Sequence, residues 1–391
     1  MKICLIVDDY MPYSIKVAAK MMHELACEFV KEGHSVSVIT PDYNLKTKMD
    51  ISTLDGVDII RFKSGKIKNI SKIKRAINET LLSHNAWKNC EDFFVNNPHD
   101  LIIYYSPSIF FGSLVKKLKK IWGVKSYLIL RDFFPQWAVD QGMIKKGSFI
   151  EKYFRYFEDI NYKNANTIGV MSEKNLEIFK EIFGNRYNVE VLYNWANNKP
   201  IQQSIDYKKD LGLENKVVYF YGGNIGHAQD MMNIVRLAQQ MQKEDKAHFV
   251  LVGAGDEVEL VRGVIDRDNL KNMTLLSAVS QDNFKQMLAS FDVGLFSLHK
   301  DHTTHNFPGK LLGYMVQELP ILGSINKGND LQIIIEKAKA GLISINGDDQ
   351  KFFENAVKFL DNDYRKEIGK NAYKLLEDKF SVESVVKQIL G

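Results

Sequence analysis

Residues 217–238 read VVYFYGGNIGHAQDMMNIVRLA, and this stretch decides the fold class. It opens with an apolar run rich in β-branched and aromatic side chains, which predicts a buried strand. Glycines follow between residues 222 and 226, and a helical pattern begins near Asp230. Glycines between a strand and a helix let the backbone approach a phosphate at the helix N-terminus. A tight turn that needs positive φ would explain the same glycines equally well, so the stretch alone predicts an α/β fold and leaves phosphate binding open.

The same alternation of short strands and longer helices runs through the chain on both sides of this stretch. Before it, apolar runs predict strands at 3–7, 35–39, 58–61, 101–105, 127–130, 167–170 and 189–192. Helical patterns lie between them at 14–31, 71–95, 109–121, 148–163 and 172–183. The later strands are predicted at 217–221, 248–252, 273–276, 293–297, 321–323 and 342–343. This alternation predicts parallel sheets with crossover helices.

The chain of 391 residues is long enough for two domains. A polar stretch without periodicity, residues 193–206, separates the two sets of strands and predicts a linker close to Asn197. We expect an N-terminal domain at residues 1–196 and a C-terminal domain at 197–391, with the last helix able to pack back on the first domain. The predicted architecture is two doubly wound, Rossmann-like domains facing across a cleft, with ligands at the carboxyl ends of the strands.

Composition indicates a folded protein without a membrane-spanning segment. Apolar residues make up 45% of the chain and charged residues 26%, which is typical of globular proteins. The net charge of +4 is small for this length and does not indicate nucleic-acid binding. Three widely spaced cysteines form no metal-ligand motif and fit a reducing compartment. Neither a signal peptide nor a run of ~18 apolar residues occurs, so we expect a cytoplasmic protein.

Two basic stretches stand out, residues 63–76 and residues 116–125, the second of which contains Trp122. Basic residues mixed with apolar and aromatic ones can rest against an anionic membrane face. Solvated helix faces have the same composition, and the sequence alone favours that interpretation. Peripheral contact with the inner face of the cytoplasmic membrane is therefore one expectation, and nucleic acid is not expected because no recognition module accompanies the charge.

Two further segments repeat the strand-to-loop pattern of the opening stretch. HFVLVGAGDEVELV, residues 248–261, places Gly253 and Gly255 between a strand and a helix. LLSAVSQDNFKQML predicts Ser280 as a helix cap and puts Val279 in a loop expected to contact a base. Glycine loops at the ends of two strands in one domain favour a cleft for a nucleotide or a nucleotide sugar. The first strand instead runs into DDYMP, and no G-x-x-x-x-G-K-[ST] occurs, which excludes a dinucleotide fingerprint and a P-loop.

NFPGKLLGYMVQELPILG, residues 306–323, predicts a loop, a short helix and a strand. Pro308 marks the helix start and Lys310 lies in the first turn. Residue 313 is a glycine, although a carboxylate there would suit a sugar-binding site. Glycine inside a helix costs ~1 kcal/mol relative to alanine, so Gly313 requires an explanation.

The candidate metal ligands are sparse. His299, His302 and His305 recur at a spacing of three without a cysteine, which favours a polar cleft loop over a metal site. Some sugar transferases hold a divalent ion by an Asp-x-Asp pair after a strand. The pairs in this chain, at 266–268 and 361–363, instead lie on or beside predicted surface helices. We therefore predict no metal and no cofactor.

In the N-terminal domain, SYLILRDFFPQWAVDQG places Arg131 and Asp132 just beyond a buried strand. Such a pair can position a substrate or supply a general base, and a structural ion pair explains Arg131 nearly as well. VDDYMPYSIK brings Ser14 and Lys16 to the same edge of the predicted sheet. A helix N-cap is the alternative role for Ser14.

Together these segments resemble the retaining glycosyltransferases of family 4, which have the two-domain GT-B fold. The resemblance spans nearly the whole chain and rests on GNIGHAQ, FVLVGAGDE, VSQDNF and PGKLLGYM in this order. VDDYMPYSIKVAAKMMHELA, LRDFFPQWAVDQGMI and HTTHNFPGKLLGYMVQELPILG more closely resemble O-antigen and capsule enzymes, in particular the WbuB-type L-fucosamine transferases. The resemblance implies a nucleotide sugar bound on the second domain and an acceptor on the first.

Carried over by position, the resemblance implies roles for individual residues. The implied donor-binding residues are Gly223, Asn224, Gly226, Gln229, Gly253, Gly255, Val279, Asn306, Gly309 and Leu311. In this set the residues 223–226 lie beside the diphosphate, the glycines at 253 and 255 flank the nucleoside, and residue 279 meets the base. The implied catalytic residues are Asp132, Lys310 and His305, and the implied acceptor-binding residues are Ser14, Lys16 and Arg131.

Four positions depart from the family pattern. Two glutamates spaced eight apart are replaced by His305 and Gly313, and an arginine and a lysine are replaced by Asn224 and Gln229. Two acids and two cations are therefore missing together, which leaves the net charge of the site little changed. A site with these replacements lacks the family's groups for ribose and sugar hydroxyls.

We hypothesise that His305, Asn306 and Lys310 have taken over donor binding for a partly apolar deoxysugar, which needs fewer polar partners. The expected activity is metal-independent transfer of a 6-deoxy-amino sugar, N-acetyl-L-fucosamine, from a UDP-sugar donor. The expected acceptor is a lipid-diphosphate-linked N-acetylglucosamine in O-antigen, lipopolysaccharide or capsule biosynthesis. A UDP-sugar epimerase of the same fold and a non-catalytic GT-B partner are the open alternatives.

Overall fold

The computed structural model describes residues 1–14, 16–67, 70–301 and 308–391, with the backbone alone for Lys72. The chain divides into two compact units. Unit 1 contains Met1–Tyr193 together with Val385–Gly391, and unit 2 contains Asn194–Ser384. This division lies close to the boundary expected between residues 196 and 197.

The strands of unit 1 are β1 (Lys2–Ile6), β2 (Ser35–Asp42), β3 (Met49–Leu54), β4 (Val57–Lys63), β5 (Leu101–Ser106), β6 (Lys125–Leu130), β7 (Thr167–Val170) and β8 (Val189–Val191). They form one sheet in the order β3-β4-β2-β1-β5-β6-β7-β8. Neighbouring strands are parallel except for β3 and β4, which form an antiparallel pair. β3 was not predicted from the sequence, because all its residues are partly or fully exposed and carry no apolar run.

The helices of unit 1 are α1 (Val17–Lys31), α2 (Lys72–Thr80), α3 (Leu82–Asn96), α4 (Gly112–Trp122), α5 (Gln136–Asp140), α6 (Phe149–Lys163) and α7 (Glu173–Phe183). Ser148 and Ser172 cap α6 and α7, accepting hydrogen bonds from backbone amides three residues on. The single helix predicted over 71–95 is wrong, since the chain breaks it at Leu81 and leaves helical geometry again at Cys90.

The strands of unit 2 are β9 (Val217–Asn224), β10 (Ala247–Ala254), β11 (Met273–Ser277), β12 (Val293–Ser297), β13 (Ile321–Ile325) and β14 (Gly341–Ile345). They form a parallel sheet in the order β11-β10-β9-β12-β13-β14. The strand order reverses between β9 and β12, and in doubly wound sheets ligands bind at the carboxyl end of that point.

The helices of unit 2 are α8 (Tyr207–Asp210), α9 (Met231–Gln240), α10 (Val258–Arg267), α11 (Gln281–Ser290), α12 (Gly309–Val316), α13 (Leu331–Lys337), α14 (Asp349–Lys358) and α15 (Asn362–Leu375). A last helix, α16 (Val382–Leu390), begins in unit 2 and ends among the residues of unit 1. Short 3-10 turns occupy His227–Gln229 and Met241–Lys243, and a π-helical turn occupies Leu376–Phe380. None of the described helices combines the length and apolar character needed to cross a membrane.

The predicted linker is more ordered than its polar composition indicates. Trp195 is only 2% exposed. The amide of Ala196 donates to the carbonyl of Phe380 at 2.9 Å, and the amide of Val382 donates to the carbonyl of Ala196 at 3.2 Å. The start of unit 2 is therefore tied to its end by backbone hydrogen bonds and one buried aromatic ring, although residues 197–206 form no helix or strand.

Candidate functional site

A cavity of about 380 Å³ opens at the carboxyl ends of β9 and β10 in unit 2. Four residues with an implied donor role, Gly223, Asn224, Gly253 and Val279, lie in its wall. Phe284 of α11 also lines it and was not identified from the sequence. The loops meet because Gly253 and Gly223 are neighbours in the parallel register of the two strands. The structure thus places three separate sequence segments around one cavity.

Close packing or backbone conformation requires the glycines in and next to this wall. A Cβ atom at Gly253 would overlap the carbonyl oxygen of Gly223, and a Cβ at Gly255 would overlap the backbone of Ile225. Gly223 also has φ of +133°, a backbone conformation that favours glycine. Because no side chain can occupy these positions, the cavity keeps an open wall of peptide groups.

Lys310 provides a cation beside this wall. A Cβ atom on Gly223 would lie 3.5 Å from the Lys310 Nζ, which itself lies 3.7 Å from the centroid of the Tyr221 ring. Over the parts of the chain that the structure describes, no carboxylate pairs with Lys310. Partial burial lowers the pKa of Lys310 to about 7, since desolvation disfavours the ammonium. An anion bound here would supply the missing partner and raise that pKa.

The positions where the resembling family has an arginine and a lysine carry a neutral amide pair. Asn224 Nδ2 donates to Gln229 Oε1 at 2.8 Å. The Tyr221 hydroxyl donates to the carbonyl of Asn224, which ties the aromatic ring beneath Lys310 to the same loop. The loop therefore offers polar groups without charge, and Lys310 is left as the cation next to the glycines.

The first turn of α12 corrects one prediction. The amide of Leu311 already donates to the carbonyl of Pro308 at 3.0 Å, and the Leu311 side chain is fully buried. Leu311 therefore packs the interior of unit 2, and the implied donor role does not fit it. Gly309 is exposed, and a Cβ atom there would meet nothing within 4 Å.

Gly313 lies where two helices approach each other. A Cβ atom at this position would stand 3.2 Å from Leu288 Cδ1 of α11, closer than an ordinary carbon contact. Any larger side chain here would require the end of Leu288 to shift by a few tenths of an ångström. Close packing of α11 against α12 explains why this helix tolerates a glycine.

Part of the predicted site lies outside the described residues. His305, Asn306 and His302 fall there, and their roles stay predictions. His299 is described: the Asp301 amide donates to its Nδ1 at 3.2 Å, and its ring lies 4.7 Å from the ring of His227.

A second cavity, of about 320 Å³, lies at the carboxyl ends of β1, β2 and β4 in unit 1. Two residues with an implied acceptor role, Ser14 and Lys16, line it. Ser14 Oγ donates to Asp9 Oδ2 at 2.7 Å, and Lys16 Nζ lies 3.9 Å from the same oxygen. The alternative that Ser14 caps α1 is wrong, since the helix begins at Val17 and no side chain caps it.

Arg61 is the main residue of this cavity that the sequence analysis missed. It is 3% exposed, and its guanidinium donates to Ser52 Oγ at 2.9 Å and to the carbonyl of Met11 at 2.6 Å. Its Cζ lies 4.4 Å from the centroid of the Tyr13 ring. A charged residue at the end of an apolar strand was the available signal. The guanidinium fixes the loop after β1 against β3 and gives the cavity a cationic floor.

Arg131 and Asp132 follow β6 and do not line this cavity. Arg131 is buried and donates to the carbonyls of Tyr193 at 3.3 Å and Gly169 at 3.5 Å, which favours a structural role over acceptor binding. Asp132 is exposed at the sheet edge. Desolvation by its surroundings raises the pKa of Asp132, and the charge of Arg131 partly opposes this. A carboxylate with a raised pKa suits a general base, so the role of Asp132 stays a prediction.

One group of potential metal ligands occurs among the described residues, namely His23, Cys27 and Asp55. His23 already has partners on both ring nitrogens, with Tyr10 Oη at 2.8 Å from Nδ1 and Asp55 Oδ2 at 2.9 Å from Nε2. These hydrogen bonds explain the cluster as a tie between α1 and the turn that joins β3 to β4. The Asp-x-Asp pairs lie on helix ends, where Asp268 pairs with Arg267 and Asp361 caps α15.

Comparison with known proteins identifies the class of unit 2. Residues 215–362, all within unit 2, match the family described as Glycosyl transferases group 1. WbjE of Pseudomonas aeruginosa, named as a probable glycosyltransferase, is 26% identical over 230 residues, which are 57% of this chain and 57% of WbjE. WcaI of Escherichia coli K12, named for colanic acid biosynthesis, is 24% identical over 220 residues, 54% of each protein. The chain thus matches about half the length of these relatives.

A solved structure extends the likeness to the whole chain. HepE of Anabaena in complex with UDP superimposes with a TM-score of 0.65 at 15% identity, covering 100% of this chain and 98% of that one. Similarity at this level of identity establishes the fold alone. The predicted fold class, GT-B with two Rossmann-like α/β sheets, is confirmed.

Proposed function

We propose that this chain is a glycosyltransferase that moves N-acetyl-L-fucosamine from its UDP derivative to a lipid-diphosphate-linked N-acetylglucosamine. The reaction belongs to O-antigen or capsular polysaccharide biosynthesis at the inner face of the cytoplasmic membrane. The group 1 domain at residues 215–362 and the names of WbjE and WcaI support sugar transfer. The UDP in the HepE structure supports a uridine nucleotide as the carrier of the donor sugar.

The observation that carries the proposal is the position of Lys310. Its ammonium stands beside Gly223, at the edge of a glycine-walled cavity, with no carboxylate partner among the residues that the structure describes. A diphosphate leaving group develops negative charge as the sugar departs, and a partly desolvated ammonium stabilises such charge strongly. Lys310 would serve this role, and Asp132 would accept the proton of the acceptor hydroxyl.

A deoxysugar donor is favoured by what surrounds the cation. Asn224 Nδ2 is used within the loop by its hydrogen bond to Gln229 Oε1, and Gly313 provides no carboxylate to a ligand. A 6-deoxy sugar presents a methyl group in place of a hydroxyl, so it leaves fewer polar groups that need a partner. With a neutral amide pair at 224 and 229 and no carboxylate at 313, these positions of unit 2 offer fewer charged groups for hydroxyl recognition than the family pattern.

The test is mass-spectrometric detection of transfer with the full chain, UDP-N-acetyl-L-fucosamine and lipid-diphosphate-N-acetylglucosamine, in the presence of EDTA. We expect a product heavier by one N-acetylated deoxyhexosamine. Lys310→Met and Asp132→Asn should each lower the rate by ~100-fold or more, a typical loss for an electrostatic or general-base group. The exposed Lys358→Met and Asp140→Asn serve as matched controls in the same units and should retain the rate.

The other outcomes separate the alternatives. Free sugar or an epimer formed without acceptor would indicate a UDP-sugar epimerase. Binding of UDP without turnover on any sugar donor would indicate a non-catalytic partner. A chain that neither binds UDP nor transfers sugar would overturn the proposal altogether.

A further inference from the structure

Unit 1 exposes an apolar face on α6 that its core does not use. Phe149, at the start of the helix, is 91% exposed, and Ile150 and Tyr156 are each about 60% exposed, at 60% and 61%. Residues 149, 153 and 156 fall on one side of a helix. Met143, in the turn before α6, is 69% exposed. Exposed aromatic and apolar side chains at this density mark an interaction surface rather than an ordinary solvated helix.

The exposed side of α2 continues this surface. Ile73 is 76% exposed and Ile77 is 55% exposed, and their spacing of four places them on the same side of α2 as Thr80. The hydroxyl groups of Thr80 and Tyr153 form a hydrogen bond, which fixes the end of α2 against α6. The two helices therefore present one surface, here named the docking face and consisting of Ile73, Ile77, Met143, Phe149, Ile150 and Tyr156.

The charges around the docking face are mainly positive. Lys145, Lys146 and Lys152 are exposed, and no carboxylate in the described parts of the chain pairs with them. The Lys152 Nζ lies 5.9 Å from the centroid of the Phe149 ring. The neighbouring acid Glu151 is compensated, since it accepts a hydrogen bond from the Gly147 amide at 2.6 Å and lies 3.5 Å from an arginine. Uncompensated lysines thus alternate with exposed aromatic rings.

We propose that the docking face binds the anionic surface of a lipid bilayer. The face combines what such a surface recognises: Phe149, Ile150 and Met143 enter the boundary between headgroups and acyl chains, and the lysines reach lipid phosphates. This inference deepens the proposed function, on which it rests for its purpose, because a lipid-linked acceptor is presented at a bilayer. Charge complementarity selects an anionic membrane over a neutral one.

The experiment is flotation of the full chain with vesicles of phosphatidylethanolamine and phosphatidylglycerol, in the absence of donor and acceptor. Wild-type protein should float with these vesicles, should float poorly with pure phosphatidylcholine, and should dissociate as salt rises. Phe149→Ser with Ile150→Ser should weaken the partition at least ~10-fold, because two apolar side chains no longer leave water. Lys145→Glu with Lys146→Glu should weaken it by a similar factor and remove most of the salt dependence.

The matched controls are Ile333→Ser and Lys337→Glu on α13 of unit 2, where Ile333 is 68% exposed. They should float like the wild type. Wild-type protein that stays with the solution, or docking-face variants that float unchanged, would overturn the inference. Light scattering is measured in parallel: a dimer that Phe149→Ser converts to a monomer would assign the face to a second copy of this chain and likewise overturn it.

Failure of this inference is distinguishable from failure of the proposed function. Flotation needs no turnover, and transfer is measured separately with a water-soluble diphosphate acceptor that needs no bilayer. Transfer without flotation would overturn the proposed docking face and support the proposed transferase activity. Flotation without transfer would support the proposed docking face and overturn the proposed transferase activity.

Discussion

The cavities at the carboxyl edges of the two sheets are lined by different kinds of chemical group. In unit 2 the cavity wall consists of peptide groups, neutral amides and apolar side chains such as Phe284, and one cation, Lys310, lies beside it next to Gly223. In unit 1 the cavity is lined by side chains of both signs, including Asp9, Lys16 and Arg61, which bond to each other or to the backbone. A wall built of backbone has a fixed shape. The affinity of the unit 2 cavity for an anion therefore depends mainly on the single cation Lys310. A wall of paired side chains spreads its polarity, so the loss of one member has a smaller effect.

The largest expected effect comes from adding one methyl group to the backbone wall. Gly253→Ala would drive a Cβ atom into the carbonyl oxygen of Gly223, so the ends of β9 and β10 must separate. We expect about 3 kcal/mol less unfolding free energy, at the upper end of the usual cost of overpacking, and loss of UDP binding. Urea unfolding and calorimetric titration with UDP measure both quantities.

Gly309→Ala is the matched control for that change. Gly309 also lies at the candidate site, but a Cβ atom there would meet open space. Its unfolding free energy should stay within about 0.5 kcal/mol of the wild type or rise, since alanine is the better helix former. Equal destabilisation by both variants would contradict the claim that close packing of the strands explains Gly253.

A smaller effect is expected from pH, acting through Lys310. Bound diphosphate favours the ammonium and raises the pKa of Lys310 above its unbound value of about 7. The affinity for UDP should therefore hold below pH 7 and fall as the pH rises above it, by up to ~10-fold per pH unit. Above pH ~7 the terminal phosphate of UDP is largely ionised, because such groups titrate near pH ~6, and it does not contribute this slope.

The variant Lys310→Met tests whether Lys310 causes the fall of UDP affinity with rising pH. Without an ammonium the affinity should be about 2 kcal/mol weaker below pH 7, roughly 30-fold, and nearly independent of pH above it. The two titration curves should converge as the pH rises, whereas Lys358→Met should follow the wild type. The variant should unfold at no lower temperature, because it no longer desolvates a charge. A wild-type affinity that is flat from pH 7 to alkaline pH would contradict the assignment.

Much of the fold was predictable because its signals are local. Apolar runs located all the parallel strands, and the serine caps of α6, α7 and α11 were visible as residues. β3 was missed because an antiparallel edge strand with a solvated face lacks such a run, and the break at Leu81 was missed because both helices share one pattern.

The candidate site could be predicted from the sequence where backbone packing determines the residue type. It was less predictable where side chains distant in the chain come into contact. Gly223 and Gly253 could be assigned from the sequence of their loops, since the close approach of the two strands requires glycine. The contacts of Tyr221 with Lys310 and of Arg61 with Tyr13 join residues far apart in the chain, so neither contact has a local signal, although the charge of Arg61 at the end of an apolar strand was visible. Leu311 was assigned by position in a motif, and its amide proved to be used within the helix turn.

The smallest expected effect belongs to the paired wall of unit 1. Ser14→Ala removes the hydrogen bond to Asp9, but Lys16 lies 3.9 Å from the same carboxylate and can move closer to it. We expect a loss of about 1 kcal/mol in unfolding free energy, the usual net worth of one hydrogen bond, with UDP affinity unchanged. The acceptor KM should rise a few-fold if the cavity holds the acceptor. Ser113→Ala, at an exposed position of α4, should change neither quantity. A Ser14→Ala effect as large as that of Gly253→Ala would show that the unit 1 wall is as rigid as the backbone wall, and the contrast between the two edges would fail.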